Sequence, residues 1–283
     1  MHTFRTFAAC LLLLLSVWLG GACSTDAAPA AAATAATAAP ARPAAGSPDR
    51  ILFIIASSTV HGTSTLPASI SFGEVVHAWD VFNAAGYAVD MVSPDGGAVP
   101  ILDDYVSPDV AARLYDARIM DPLRTTFTPA QVDAARYRAV YYVGGSNAMY
   151  GVPEHPALQR IALQVYEGNG GVVSAVCHGT AGIVNLRLAS GDYLIAGKRV
   201  SGFPEEHEQQ GAAYFKQFPF LIGTTVRARG GVFHAVNGEA PHVQVDGRLV
   251  TGQNYASAAP VAHAVVAALG PPAHRLVQRA APN

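Results

Sequence analysis

Between residues 50 and 270, short unbroken apolar runs alternate with longer stretches whose apolar positions recur at helical spacing. Arg50-Ile51-Leu52-Phe53-Ile54-Ile55-Ala56 carries no polar side chain after its first residue, the pattern of a central parallel strand covered on both faces. Residues 73–85 then place Val75, Val76, Trp79, Val81 and Phe82 on one helical face, and Gly86 closes that helix. A second strand over 87–92 runs into the turn cluster Ser93-Pro94-Asp95-Gly96-Gly97. Strands over 139–143 and 171–176 each lead into a loop bearing glycine or cysteine and then into a helical segment, the later one over 180–188. This alternation predicts an α/β fold with a doubly wound, mostly parallel sheet flanked by helices, and such sheets gather functional loops at the carboxyl ends of their strands. Two stretches break the rhythm. Residues 193–203, interrupted by Gly197-Lys198, and 243–251, interrupted by Asp246-Gly247, predict small β-hairpin additions. A helix over 257–269 closes the domain.

The chemistry concentrates where the strand over 171–176 ends, at Ala175-Val176-Cys177-His178-Gly179. A strand that turns sharply into a helix holds its corner residue in a strained backbone and crowds the positions two before and two after, which must be small. Ala175 and Gly179 are small. Cys177 at this corner is therefore a candidate nucleophile, with His178 beside it. Unpaired N–H groups at a helix start and a neighbouring imidazole favour thiolate, so the sequence predicts a thiol held below its ordinary value of about 8.5. The plainer alternative is a buried structural cysteine.

The ends of the chain read differently. Arg5, the apolar run 8–19 and Gly20-Gly21-Ala22 predict an export signal over 1–22. Its apolar run is too short for a stable membrane span. Cys23, directly after small residues, predicts lipidation, and the following Ser24 an outer-membrane lipoprotein facing the periplasm; simple secretion is the alternative. Residues 23–48 are dominated by Ala, Pro and Thr and form a tether, 49–272 a single α/β domain, and 273–283 a tail. With 18 basic and 20 acidic residues and a net charge of −2, the chain offers no run suited to nucleic acid. Of its three cysteines only Cys177 falls in the folded domain, so that domain can form no internal disulfide. His61, His77, His155, His207, His234, His242 and His263 form no spaced ligand set, and no metal site is expected.

Six motifs in one order give the chain a resemblance to the ThiJ/PfpI superfamily. They are Glu74 at the start of the first helix; Val92-Ser93-Pro94-Asp95-Gly96-Gly97 with Pro100 and Asp103; Gly144-Gly145; Cys177-His178-Gly179; Gly197-Lys198-Arg199-Val200-Ser201-Gly202-Phe203 with the acidic group behind it; and Leu249-Val250-Thr251-Gly252-Gln253-Asn254. The resemblance covers nearly all of the folded domain and implies a flavodoxin-like, class I glutamine amidotransferase-like fold. The insertion over 107–127 and the expected hairpin before Phe203 point to the larger, exported relatives of the glyoxalase III branch. The chain departs from the family pattern where Ser146-Asn147 and Gly151 replace residues that usually include a histidine and an aspartate, which removes an imidazole from the pocket rim.

Carried over residue by residue, the resemblance implies Cys177 as nucleophile, His178 as its acid/base partner, and Glu74 as the acid lying against the thiol. An ordinary first-turn acid at a helix N-terminus is the other reading of Glu74. A third acid should orient His178, and spacing from Phe203 points to Glu208, with Glu205 and Glu206 as rivals. The backbone N–H groups of Gly145 and His178 are candidates for an oxyanion hole. The implied activity is cofactor-independent conversion of small reactive carbonyls such as methylglyoxal. The rivals are a Cys-dependent hydrolase (deglycase, amidase or peptidase), and a holdase chaperone or redox sensor. The expected partners are a small carbonyl substrate, a second copy in a homodimer, and the membrane only through a lipid anchor.

Overall fold

The computed structural model describes residues 49–270 and 272. The expected export signal, Cys23, the tether and the tail 273–283 lie outside the described residues.

Strand β1 (Arg50–Ile54) shows why an unbroken apolar run makes a central strand. Ile51 and Phe53 enter one core layer, Leu52 and Ile54 the other, and all four are buried. With a side-chain period of two, both faces must then be covered. Helix α1 (Phe72–Ala85) supplies one cover through Phe72, Val75, Val76, Trp79 and Phe82, and it stops at Gly86, whose positive φ of 95° suits the left-handed cap. Strand β2 (Ala88–Val92) returns parallel to β1. The insertion after it contains helix α2 (Ala117–Arg124) and rejoins the sheet edge where Phe127 bridges Val92.

Strand β3 (Tyr137–Tyr142) pairs parallel with β1, helix α3 (Pro156–Leu163) covers the second face, and β4 (Val172–Val176) pairs parallel with β3. The short strands β5 (Arg199–Val200) and β6 (Val232–Phe233) form a separate two-stranded sheet, with helix α4 (Ile222–Ala228) between them in the chain. Strands β7 (Val243–Asp246) and β8 (Leu249–Gly252) form an antiparallel hairpin, and helix α5 (Ala258–Leu269) packs against α1. The main sheet has the order β2-β1-β3-β4-β8-β7, with β7 alone antiparallel to its neighbour. This is the expected mostly parallel, doubly wound α/β fold.

Two local expectations are corrected. The hairpin expected over 193–203 does not form: Leu194 and Ile195 are both fully buried instead of alternating, and Gly197, at φ 72°, donates to the Gly230 carbonyl. The turn thus sends the chain to a distant partner, and β5 pairs parallel with β6. The hairpin expected over 243–251 does form, and β8 is also a full member of the main sheet beside β4. The helix expected over 180–188 is instead a 3-10 helix over Cys177–Ile183. Its glycine-rich sequence has little α-helical propensity, and Gly179 and Gly182 lie so close to Tyr142 that a Cβ on either would come within 2.3 and 2.4 Å of it.

Candidate active site

The corner at the end of β4 has the strain that the small flanking residues imply. Cys177 is the one non-glycine residue with positive φ among the described residues, at 56°, a conformation that costs of order 1–3 kcal/mol and persists only where its surroundings impose it. The surroundings here are tight. A Cβ on Gly179 would sit 2.3 Å from the Tyr142 carbonyl oxygen, and one on Gly144 would sit 2.5 Å from Glu74 Oε2 and 2.9 Å from the Cys177 Cβ. Glycine at these places allows β3, α1 and the corner to converge on one sulfur.

Glu74 and Cys177 meet there. Glu74 is 1% exposed and Cys177 7%; their side chains are hydrogen-bonded, and the Gly144 N–H donates to Glu74 Oε2 at 2.9 Å. Burial pushes the Glu74 carboxyl up to about 8, so that it is protonated at neutral pH. Burial, reinforced by the neighbouring carboxyl, pushes the Cys177 thiol up as well, against the pull of the His178 backbone N–H that faces the sulfur. The expectation of a thiol below its ordinary value is corrected on this point. The helix start contributes one N–H, and enclosure in apolar surroundings outweighs it.

On the other side of the sulfur, His178 Nδ1 lies 3.4 Å from Sγ, and His178 Nε2 lies 2.7 Å from Glu208 Oε1. A carboxylate that accepts from Nε2–H leaves the Nδ1 lone pair facing the thiol, the tautomer a base requires. The Phe203 ring stacks on the imidazole at 4.6 Å, and the Phe203 N–H donates to the Cys177 carbonyl. Glu205 and Glu206 are not brought to the histidine. Glu205 accepts from the N–H groups of Gly223 and Thr224 and from the Thr224 hydroxyl, at 2.7 to 2.9 Å, and so holds the start of α4. Glu206 is exposed.

The Gly145 N–H has no hydrogen-bond partner among the described residues, whereas that of Gly144 is taken by Glu74. Gly145, at φ 100°, lines the same cleft as Cys177 and His178. Its N–H and that of His178, which faces the sulfur, remain the two candidate donors for an oxyanion. Sequence reasoning missed two further residues. Tyr214 donates its hydroxyl to Glu208 Oε2 at 3.1 Å, holding the oxygen that His178 does not use. His61, 2% exposed, places Nε2 3.3 Å from Ser146 Oγ and packs its ring 5.3 Å from that of Tyr214. An imidazole from another loop thus stands behind Ser146; burial and nearby His178 lower its pKa, which favours the neutral form. The composition of 204–218, with Tyr214, Phe215 and Phe218 close to the acids, was the available signal for Tyr214. For His61 there was none.

A cysteine on a strained strand-to-helix corner of a parallel sheet, backed by an imidazole, a carboxylate and a second, buried carboxyl, defines a nucleophilic-cysteine α/β protein. The model of the DJ-1/PfpI family matches residues 69–268, and the chain belongs to that family. Glyoxalase 3 of Candida albicans is 32% identical over 209 residues, covering 69% of this chain and 87% of its own. A glutathione-independent glyoxalase of Saccharomyces cerevisiae is 28% identical, covering 75% of this chain and 94% of its own. The crystal structure of glyoxalase III from C. albicans superposes with a TM-score of 0.70 at 27% identity, over 77% of this chain and 97% of its own.

Proposed function

We propose that the protein is a glutathione-independent, glyoxalase III-like enzyme that converts small 2-oxoaldehydes to 2-hydroxy acids, with Cys177 as nucleophile. The observation that carries this reading is the placement of Cys177 between two different acid/base groups, Glu74 on one side and the His178–Glu208 pair on the other. A hydrolase needs one base to activate its nucleophile; moving hydrogen between two adjacent carbons gives the second group work to do. The similarity to glyoxalases over most of both chains supports the same reading.

In the proposed sequence, His178 Nδ1 takes the thiol proton as Sγ bonds to the aldehyde carbon of methylglyoxal, giving a hemithioacetal. The oxyanion forms beside the N–H groups of Gly145 and His178. The former aldehyde C–H then loses its proton, and the neighbouring ketone carbon gains one through an enediol, with Glu74 and His178 exchanging protons with the substrate oxygens and carbons. The aldehyde carbon is thereby oxidised to a thioester and the ketone carbon reduced to an alcohol within one molecule. Water adds to the thioester, the C–S bond breaks, sulfur regains its proton, and lactate leaves. Electrons balance inside the substrate, and the route uses no cofactor.

Turnover of methylglyoxal to lactate without glutathione tests the assignment. Oxidation state separates it from the hydrolytic alternatives, since only internal redox converts the dicarbonyl to lactate. We also propose that the mature chain starts at a lipidated Cys23 in the cell envelope, a reading supported by the pattern of residues 1–24. Mass spectrometry of the purified N-terminus tests it, and an unmodified terminus after Cys23 contradicts it.

A further inference from the structure

Two buried polar side chains take no part in the chemistry described so far. His61 is 2% exposed and Ser146 5%, and His61 Nε2 lies 3.3 Å from Ser146 Oγ. The loop after β1 that carries His61 is braced by its own bonds: the His61 N–H donates to the Leu66 carbonyl, Ser64 Oγ donates to the His61 carbonyl at 2.6 Å, and Val60 bridges Pro67. The rings of Tyr150, Tyr214 and Phe218 pack around the imidazole, and Nδ1 faces the Tyr150 hydroxyl at 3.5 Å.

Ser146 brings this imidazole to the cleft. It lines the cavity that holds Cys177 and directly follows Gly145, the candidate oxyanion donor. A serine hydroxyl has one proton and two lone pairs. Ser146 Oγ has two partners, His61 Nε2 and the Tyr105 hydroxyl at 2.6 Å. With Ser146 donating to His61 and Tyr105 donating to Ser146, one lone pair of a cleft-lining oxygen is left for a water molecule, and His61 keeps its own proton on Nδ1, towards Tyr150. Burial and His178 favour the neutral, proton-accepting imidazole, and the Glu208 carboxylate is near enough to steady the imidazolium once it forms. His178 is committed elsewhere, with Nδ1 facing the sulfur and Nε2 held by Glu208.

We propose that Ser146, backed by His61, activates the water that releases the product from Cys177. Ser146 touches the reacting water, and His61 acts through it as a positioning residue that takes up the proton. This rests on the glyoxalase reading and assigns its last step. One O–H bond of the water breaks as its oxygen bonds to the thioester carbon; that proton goes to Ser146 Oγ while the Ser146 proton passes to His61 Nε2. The C–S bond then breaks with its electron pair on sulfur, and sulfur takes the proton that Glu74 holds against it. The lactic acid gives its proton to Glu74, and His61 returns its own to solvent through Ser146. No step in the release is a redox step.

The test mixes methylglyoxal with the full-length wild type, Ser146→Ala and His61→Gln, quenches in acid, and weighs the intact protein while lactate is followed. In both variants release should slow by about a hundredfold, so that methylglyoxal is consumed in a burst of about one equivalent per enzyme and a lactoyl group accumulates on Cys177; the wild type should show no such adduct. The double variant should be no slower than the slower single one, as for residues that act as a unit. Hydroxylamine, which attacks thioesters without a base, should strip the adduct once excess methylglyoxal is removed, a rescue that a merely disordered site would not give. Ser146→Ala removes one oxygen atom, and a melting temperature within a few degrees of wild type shows that the fold is kept. Lactate release at the wild-type rate in Ser146→Ala, a slowed variant whose Cys177 stays bare, or an adduct that hydroxylamine leaves in place overturns the inference and leaves the glyoxalase reading standing. A wild type that forms neither lactate nor adduct removes the glyoxalase reading and the inference with it.

Discussion

The two walls of the site hold carboxyls of opposite character. On the sheet side, Glu74 projects from the first turn of a regular helix, is sealed from water, and is pushed up to about 8. On the other side, Glu208 comes from an irregular segment of short 3-10 turns, where the rings of Phe203, Tyr214 and Phe218 surround the imidazole and its carboxylate. One acid is set by burial in the core and holds a proton; the other accepts hydrogen bonds from His178 Nε2 and the Tyr214 hydroxyl. The difference teaches that a fold can place two chemically similar buried groups about one cysteine–histidine pair and separate their roles through the hydrogen-bond partners each one meets.

The comparison breaks most sharply at Glu208. Glu208→Gln replaces the acceptor for Nε2–H and favours the wrong tautomer, so kcat should fall by about 10² to 10⁴, while Glu206→Gln leaves it unchanged. Equal rates in the two variants would remove Glu208 from the machinery.

The buried wall is tested through stability. The Glu74 carboxyl titrates near 4.5 when ordinary and near 8 in the fold, so the folded state binds the proton more tightly. Its contribution is fully present below about pH 4.5 and is lost as pH rises towards 8, by at most about 1.4 kcal/mol per pH unit. In Glu74→Gln that loss should vanish. Denaturant melts at pH 5 and pH 8 measure it, and parallel pH trends in wild type and variant would show that Glu74 titrates as an ordinary carboxyl.

A smaller effect is expected from Tyr214→Phe. Releasing one oxygen of Glu208 should lower kcat by about tenfold, about the energy of one hydrogen bond to a charged group, and leave the melting temperature within a few degrees. Glu205→Gln should do the reverse. It weakens the hold on the start of α4 and costs about 1 kcal/mol of stability, with kcat within twofold of wild type. A large rate loss in Glu205→Gln would mean that the acids of this segment exchange roles in solution.

The same contrast explains what could be read from the sequence. The parallel sheet, α1 and the corner at Cys177 were legible because apolar periodicity and small-residue spacing encode them directly: Ile51 to Ile54 must be covered on two faces, and Gly179 admits no side chain. Glu74 followed from the same regularity, given the family resemblance. In the segment after Phe203 no periodicity fixes which way a side chain points, so Glu205, Glu206 and Glu208 could be narrowed to three and ranked only by spacing. The Gly197-Lys198 turn was misread because a turn signal says that the chain bends, not which partner it meets; that partner, β6, lies over thirty residues on. The acidity of Cys177 was misjudged because its enclosure by α1 and β3 is a tertiary fact that the local motif does not carry.

The most direct test of the central claim is turnover of methylglyoxal by the purified protein with glutathione absent, followed as lactate formed, alongside Cys177→Ala. Wild type should produce lactate in step with methylglyoxal consumed, and Cys177→Ala should fall by at least about a thousandfold while melting like wild type. Lactate formation that survives the loss of Cys177, or its absence in wild type, would contradict the account.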